Sequence, residues 1–227
     1  MPSFSGLVDR ARSPLTLAED VTAFLRLRFW ARTHRAEHIF SERLEYFRHL
    51  QTNIIGHAEP IVYLEFGVKR GASLKQWLAL NTHPDSRFVG FDTFTGIPEP
   101  WEGRAVGAMD CGGKPPAIAD SRASFVKGLF QDTLVPFLRD FSPDHRLVVH
   151  NDCDLGSATL FVLTQMDPWM VPGSLLLFDE FYSASHEFQA FTRYTEAYYR
   201  RFRLLAAVRG KSIASRPYKR AAFERLP

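Results

Sequence analysis

The chain has 227 residues, a length that suits one domain with an extension or at most two small domains. Its 45% apolar and 23% charged residues are typical of a globular protein and exclude a disordered, collagen-like or coiled-coil chain. The net charge of +3 hides an asymmetry, because residues 200–227 carry nine Lys or Arg and one Glu. We expect these basic charges on an exposed sheet edge or tail, and we expect no nucleic-acid partner.

The cysteines and the N-terminus indicate a reducing compartment. Cys111 and Cys153 are the only cysteines, and neither lies in a CxxC motif. The N-terminus lacks the apolar run of a signal peptide, and the most apolar stretch, Met170–Phe178, is too short to cross a bilayer. We therefore expect a cytoplasmic protein without a membrane partner.

The first predicted elements are helices. Thr16 and Glu19 have the spacing of a capping box, and apolar residues then recur at helical intervals, which predicts helices over residues 16–55. Residues 93–121 are rich in Gly and Pro and predict a long loop of the kind that usually carries function.

Strands alternate with helices from Ile61 onward. This alternation predicts an α/β fold whose mostly parallel sheet is covered by helices on both faces. Ligands of such sheets bind outside the carboxyl ends of the strands. The predicted strands cover residues 61–66, 87–91, 124–130, 146–150 and 174–178, with a closing pair at 202–208 and 212–218, and helices are predicted at 133–139, 156–167 and 186–200.

The first strand leads into a turn that contains Gly67 and Gly71. Glycine lets a backbone approach a ligand closely, and the helix that follows presents free N–H groups. The spacing matches neither the dinucleotide fingerprint nor the P-loop, so tight strand–helix packing remains an alternative explanation.

Asp92 ends the second strand, where a carboxylate suits the two hydroxyls of a ribose. A ribose site without a phosphate motif indicates a nucleoside cofactor such as S-adenosylmethionine (SAM). Glu65 could pair with its ammonium group, and Gln131 and Asp132 lie where an adenine edge could be read. The candidate cofactor-binding residues are Glu65, Gly67, Gly71, Ser73, Asp92, Phe130, Gln131 and Asp132.

Five stretches carry a family resemblance: EFGVKRGAS (65–73), GFDTFTGIPEPW (90–101), VKGLFQDTL (126–134), HNDCDLGSAT (150–159) and PGSLLLFDE (172–180). In this order they resemble class I SAM-dependent methyltransferases, and more narrowly the macrocin O-methyltransferase family, which methylates sugar hydroxyls in macrolide biosynthesis. The resemblance implies a Rossmann-like sheet of seven strands, the last of them antiparallel. It also implies a divalent metal, usually Mg²⁺, bound by Asp152, Asp179 and Glu180.

Physical chemistry agrees with a metal at these acids, because carboxylates at adjacent strand ends repel one another unless a cation neutralises them. Mg²⁺ takes oxygen ligands, and a substrate hydroxyl bound to it would be acidified. Asp152 and His150 are the candidate catalytic residues, and His186 is a second candidate base. Asp154 either lies behind the metal ligands or caps the helix that follows it.

We therefore expect a SAM-dependent, metal-assisted O-methyltransferase that acts on a small hydroxylated acceptor, with a saccharide as the first guess. The methyltransferase domain would span residues 58–227, and residues 1–57 would form an N-terminal helical extension or lid. We also expect the chain to form a homo-oligomer.

Two alternatives remain. The chain departs from the family at Gly156, where Tyr is common, and at Glu180, where a second Asp is usual, which keeps open a cofactor-binding protein without catalysis. A nicotinamide-dependent Rossmann oxidoreductase would also use Asp92, but its glycine spacing is absent.

Overall fold

A computed structural model describes residues 14–210 and 217–227. The strands are β1 (His38–Phe40), β2 (Ile61–Phe66), β3 (Arg87–Asp92), β4 (Ala123–Lys127), β5 (Arg146–Asn151), β6 (Leu175–Phe178), β7 (Phe202–Val208) and β8 (Arg220–Arg225). The helices are α1 (Pro14–Thr33), α2 (Arg43–His49), α3 (Ala72–Leu80), α4 (Phe130–Leu138), α5 (Gly156–Met166) and α6 (Glu187–Ala197). A π-helical turn, Leu50–Ile55, continues α2, and a 3₁₀ turn, Asp167–Trp169, follows α5.

The strands form one sheet in the order β1-β7-β8-β6-β5-β2-β3-β4. Within the described ranges, β8 alone runs antiparallel to its neighbours, and the remaining pairs are parallel. The predicted α/β fold with a mostly parallel sheet is confirmed. The sheet has eight strands rather than seven, because the short β1 pairs with β7 at its edge.

Two apolar cores lie on opposite faces of the sheet. Leu64 of β2 belongs to the core formed with α4, α5 and α6, whereas Tyr63 packs with α2 and α3 on the other face. All six residues of β2 are buried, as expected for a strand that is covered on both faces. The prediction of helices on both faces is therefore confirmed. In the part of the chain that the structure describes, no helix is both long and apolar enough to cross a bilayer.

Three predicted boundaries were wrong. The predicted helical stretch over 16–55 is interrupted at His38–Phe40, whose backbone pairs with the edge of β7. The strand predicted over 124–130 ends at Lys127, because the next residue, Gly128, has a φ of +146° and turns the chain into α4. The last strand lies at Arg220–Arg225 rather than at 212–218, and residues 211–216 lie outside the described ranges.

The sequence predicts the basic C-terminal charges on an exposed sheet edge or tail, and for those of β8 the structure contradicts this. β8 lies inside the sheet between β6 and β7, so its side chains face the two cores or nearby polar groups. Arg225 is buried, and Arg203 pairs with Glu224 at 2.7 Å. Arg220 forms a largely buried ion pair with Asp179 at the carboxyl end of β6. Much of the positive charge is therefore matched inside the fold.

Candidate functional site

A cavity opens at the carboxyl edge of the sheet, where β2, β3 and β5 end. Its wall is built from the turn after β2, the end of β3, the start of α4, the segment between β5 and α5, and the loop 93–121. This is the location expected for a ligand of an open α/β sheet. Of the predicted site residues, the cavity brings together Gly67, Asp92, Phe130, Gln131 and Asp152.

Asp92 organises the cavity wall. One of its carboxylate oxygens accepts the backbone N–H groups of Val68 at 2.8 Å and Lys69 at 2.7 Å, and the other accepts that of Phe94 at 2.7 Å. A carboxylate has about four lone-pair positions, so about one remains for a further donor from the cavity. The carboxylate therefore fixes the turn after β2 and can still accept a ligand hydroxyl.

The two glycines of the turn meet protein atoms. Gly67 has a φ of +95°, and a Cβ added to it would overlap the backbone oxygen of Asp152. Gly71 has a φ of +72° at the start of α3, and a Cβ there would lie 3.0 Å from Pro116. Gly67 lines the cavity, and the backbone it packs against lies just after β5 rather than in a helix, so the contact is not the strand–helix packing offered as the alternative. Gly71 is not part of the cavity wall.

The start of α4 supplies the other predicted cofactor residues. The ring of Phe130 packs edge-on against Phe66, 5.5 Å away, and also lines the cavity. Gln131 lines the cavity as well, and its side chain is exposed. Asp132 is exposed and lies outside the cavity wall.

Glu65, Ser73 and His150 lie beneath the cavity in a buried polar network, outside the cavity wall. The Tyr63 hydroxyl donates to Glu65 at 2.8 Å and lies 2.6 Å from Nδ1 of His150. Burial raises the pKa of Glu65 to about 8 and lowers the pKa of His150 to about 4. Ser73 is buried beside Arg43, 3.4 Å away. In this arrangement the groups support the strand ends, and the ligand cavity does not reach them.

The predicted metal ligands are not gathered into one site. The two oxygens of Asp179 accept Nε of Arg220 at 2.5 Å and Nη2 at 2.8 Å. Glu180 lies outside the cavity wall, and its buried Oε2 has no hydrogen-bond partner among the described residues. Of the three predicted metal ligands, only Asp152 lines the cavity.

In this arrangement, the carboxylates of Asp152, Asp179 and Glu180 do not fit a Mg²⁺ ion. Within residues 14–210 and 217–227, no group of three or more His, Cys, Asp or Glu side chains is arranged to hold a metal ion. The ion would need oxygen ligands, and both oxygens of Asp179 are already engaged by a guanidinium group. Burial, together with the nearby Asp179 and Glu65, raises the pKa of Asp152 well above its usual range.

Asp154 and His186 have other roles than the sequence suggested. Asp154 does not cap α5: it has a φ of +62° and lines the cavity, and burial together with Glu180 raises its pKa to about 7. His186 instead accepts the N–H of Gly156 at 3.2 Å and thus satisfies the first turn of α5. Sequence reasoning missed Asp154 as a cavity residue because its left-handed backbone has no local sequence signal.

The loop 93–121 forms one wall of the cavity, and it contains no helix or strand, as predicted. Side chains from outside the loop hold it in place: Ser157 of α5 donates to Glu99, Ser183 donates to Glu102 at 3.2 Å, and Lys127 of β4 donates to the carbonyl of Gly113 at 2.6 Å. Among the described residues, α1 contributes none to the cavity wall, and the role of residues 1–57 as a lid stays a prediction.

No protein-family model and no curated protein matches the chain. Several solved structures do. The calicheamicin methyltransferase CalS11 is 20% identical over 99% of this chain and 97% of its own, with a TM-score of 0.57. The O-methyltransferase NovP is 22% identical over 82% of this chain and 80% of its own, with a TM-score of 0.60. TomG from Streptomyces achromogenes, an O-methyltransferase involved in tomaymycin synthesis and solved with SAM, is 16% identical over 98% and 93%, with a TM-score of 0.51.

The chain thus has the α/β fold of class I methyltransferases. At these identities the similarity concerns the fold, and the narrower resemblance to the macrocin family remains a prediction.

Proposed function

We propose that the chain is a SAM-dependent O-methyltransferase that methylates a hydroxyl group of a small acceptor. One observation carries the proposal: the carboxylates of Asp92 and Asp152 line the same cavity at the carboxyl edge of the sheet, on either side of Gly67. The first suits a ribose, and the second suits a hydroxyl that must lose its proton. The fold shared with known methyltransferases supports this assignment.

The cofactor half of the cavity lies beside Asp92. The carboxylate has about one lone-pair position left, which a ribose hydroxyl can fill by donating its proton. Phe130 offers an apolar ring to an adenine base, and Gln131 offers an amide beside it. SAM, when bound, would supply the methyl group that is transferred.

The acceptor half lies beside Asp152. Its carboxylate accepts no hydrogen bond from residues 14–210 or 217–227, so it is free to accept one from a substrate hydroxyl. As the acceptor oxygen forms its bond to the methyl carbon, its proton passes to Asp152 and the carbon–sulfur bond breaks. A carboxylate that is raised in basicity by burial and by neighbouring acids suits this proton transfer.

The metal assistance implied by the family resemblance would require Asp179 to exchange Arg220 for a metal ion. Because both oxygens of Asp179 are engaged, we assign the proton transfer to Asp152 and include no metal in the proposed step. Hydroxyls of saccharide-containing natural products are the acceptors to test first. CalS11, a calicheamicin methyltransferase, and TomG, from tomaymycin synthesis, share the fold.

Calorimetric titration with S-adenosylhomocysteine (SAH) and with NAD tests the cofactor. We expect SAH to bind in the micromolar range and NAD not to bind. Binding of NAD without binding of SAH would instead favour the oxidoreductase.

Labelled SAM and a panel of hydroxylated acceptors, assayed with and without EDTA, then test the reaction. SAH binding without any methylated product across the panel would favour a cofactor-binding protein that has lost catalysis. That alternative draws on the replacement of the usual Tyr by Gly156 and of the usual Asp by Glu180.

A further inference from the structure

The carboxyl edge of the sheet carries an excess of buried acids. The negative charges of Asp179, Glu65 and Asp154 raise the pKa of Asp152. Those of Glu180 and Asp179 likewise raise the pKa of Glu187. Carboxylates held this close together out of water are costly unless a positive charge lies among them. Some of these acids can be neutralised by protonation, since burial raises their pKa. Any that stay ionised need a positive charge from the chain or from a recruited cation.

Arg220 is placed among these acids. It begins β8, which pairs with β6 so that Ala221 lies opposite Phe178, and this register puts Arg220 beside Asp179. Its guanidinium holds both oxygens of Asp179 in the parallel two-bond geometry that makes arginine–carboxylate pairs specific. The side chains are 13% and 6% exposed, so water screens the pair little.

The backbone fixes this pair from both sides. The N–H of Asp179 donates to the carbonyl of Asn151 on β5 at 3.0 Å. The N–H of Phe181 donates to Lys219 at 2.9 Å, and the N–H of Lys219 donates to Val208 at 2.7 Å. The ends of β5, β6, β7 and β8 are thus connected around the Arg220–Asp179 pair. Its position is part of the sheet rather than of a surface loop.

We propose that Arg220 is the built-in cation of this site and occupies the place that a divalent metal takes at these strand ends. The proposal rests on the proposed function, because the acids concerned border the proposed acceptor position. Arg220 would neutralise Asp179 permanently, since a guanidinium does not lose its proton in proteins. It would also close Asp179 to metal ions by occupying both of its oxygens. Arg220 acts here through Asp179 and through the charge balance around Asp152, and it does not touch substrate.

Direct binding of Mn²⁺ to the protein saturated with SAH tests the proposal, with the electron paramagnetic resonance signal of free Mn²⁺ as the readout. We expect the wild-type chain to bind no stoichiometric Mn²⁺ in the micromolar range. In Arg220→Gln, we expect one Mn²⁺ to bind with a Kd at least about tenfold below the limit that the wild-type titration sets, because Asp179 is left as a buried charge without its arginine partner. Adding Asp179→Asn to that variant should abolish the gain.

The control is Arg203→Gln, which removes another arginine–carboxylate pair of the same strand ribbon, with Glu224, but at a half-exposed position. It should gain no Mn²⁺ site. A stoichiometric Mn²⁺ site in the wild-type chain that Asp179→Asn removes would overturn the proposal. So would a folded Arg220→Gln variant that binds Mn²⁺ no better than wild type.

If Arg220→Gln does not fold, as judged by circular dichroism, the wild-type titration still decides. A stoichiometric site there that Asp179→Asn removes contradicts a built-in cation, and the lack of such a site supports it. Titration of the same samples with SAH separates this question from the proposed function. A chain that does not bind SAH would fail as a SAM-dependent enzyme, and its Mn²⁺ titration would then be run and compared among the variants without SAH.

Discussion

The α-carbon of Gly67 lies directly against the backbone carbonyl of Asp152, with no space for a side chain between them. Gly67 also donates its N–H to Phe91 at 2.9 Å, and Asp152 donates its N–H to Phe66 at 2.8 Å. The ends of β2, β3 and β5 therefore meet at this one contact. It joins the proposed cofactor half of the cavity to the proposed acceptor half.

We predict that Gly67→Ala destabilises the chain and weakens SAH binding. The added Cβ must push β5 away from the turn, and overpacking of this kind costs about 1–3 kcal/mol. The matched control is Gly103→Ala, because Gly103 also has a positive φ, +81°, but a Cβ there meets nothing within 4 Å. Urea unfolding should show the larger loss for Gly67→Ala, and equal losses in the two variants would refute the steric explanation.

Asp92→Asn should weaken SAH binding by roughly ten- to a hundredfold. The amide replaces one acceptor oxygen with a donor, so the variant loses charged hydrogen bonds worth about 1.5–3 kcal/mol each. Calorimetry measures the affinity. Asp132→Asn is the matched control, since Asp132 is exposed and lies outside the cavity wall. A comparable loss in Asp132→Asn would restore its predicted role at the adenine and contradict the assignment to Asp92 alone.

The sequence predicts the strands in the middle of the chain well and the first and last strands, β1 and β8, poorly. The strands from Ile61 to Phe178 are signalled by apolar runs that alternate with helical patterns, and each was found within a few residues of its prediction. β1 has three residues and lies between helical patterns, so no local periodicity reveals it. β8 takes its inner position from pairing with β6 and β7, which is a long-range property of the chain.

In the candidate site too, local patterns place some residues correctly, whereas long-range contacts escape them. Gly67, Asp92 and Asp152 lie together at one cavity because each comes at or directly after the end of a strand, and strand ends meet at one edge of a parallel sheet. Their roles in binding and catalysis stay predictions. Asp179 follows a strand end too, yet its side chain is committed to Arg220, which lies 41 residues further along the chain. No local motif indicates such a partner, so sequence reasoning assigned Asp179 to a metal.

Asp152→Asn should abolish methyl transfer while leaving the affinity for SAH nearly unchanged. The amide cannot take a proton from the acceptor hydroxyl, and the loss of a positioned general base typically slows a reaction by a factor of about 100 to 10,000. Single-turnover formation of product from labelled SAM gives the rate, and calorimetry gives the affinity for SAH. Full activity in this variant would exclude Asp152 as the base and would direct attention to Asp154, which lines the same cavity.

The last prediction concerns how the stability of the chain depends on pH through Asp167, which lies outside the cavity wall. Asp167 accepts hydrogen bonds at 2.7 Å from the Tyr194 hydroxyl and from Nε and Nη2 of Arg200. These bonds tie the 3₁₀ turn after α5 to α6 and to the chain that follows α6. Burial raises the pKa of Asp167, but the hydrogen bonds from Arg200 and Tyr194 outweigh burial and lower the pKa overall.

A carboxyl group whose pKa is lowered by folding stabilises the fold above its unfolded pKa of about 3.9, and this stabilisation is lost as the pH falls through the lower, folded value. Asp167→Asn should therefore reduce the free energy of unfolding at pH 7 by about 2–3 kcal/mol, and the difference from wild type should shrink below about pH 4. Urea unfolding across this range measures both effects. Asp144→Asn is the control, because Asp144 forms a long, exposed pair with Arg87 at 3.7 Å and should change stability by less than about 1 kcal/mol. A pH-independent difference for Asp167→Asn would show that the carboxylate charge does not stabilise this contact.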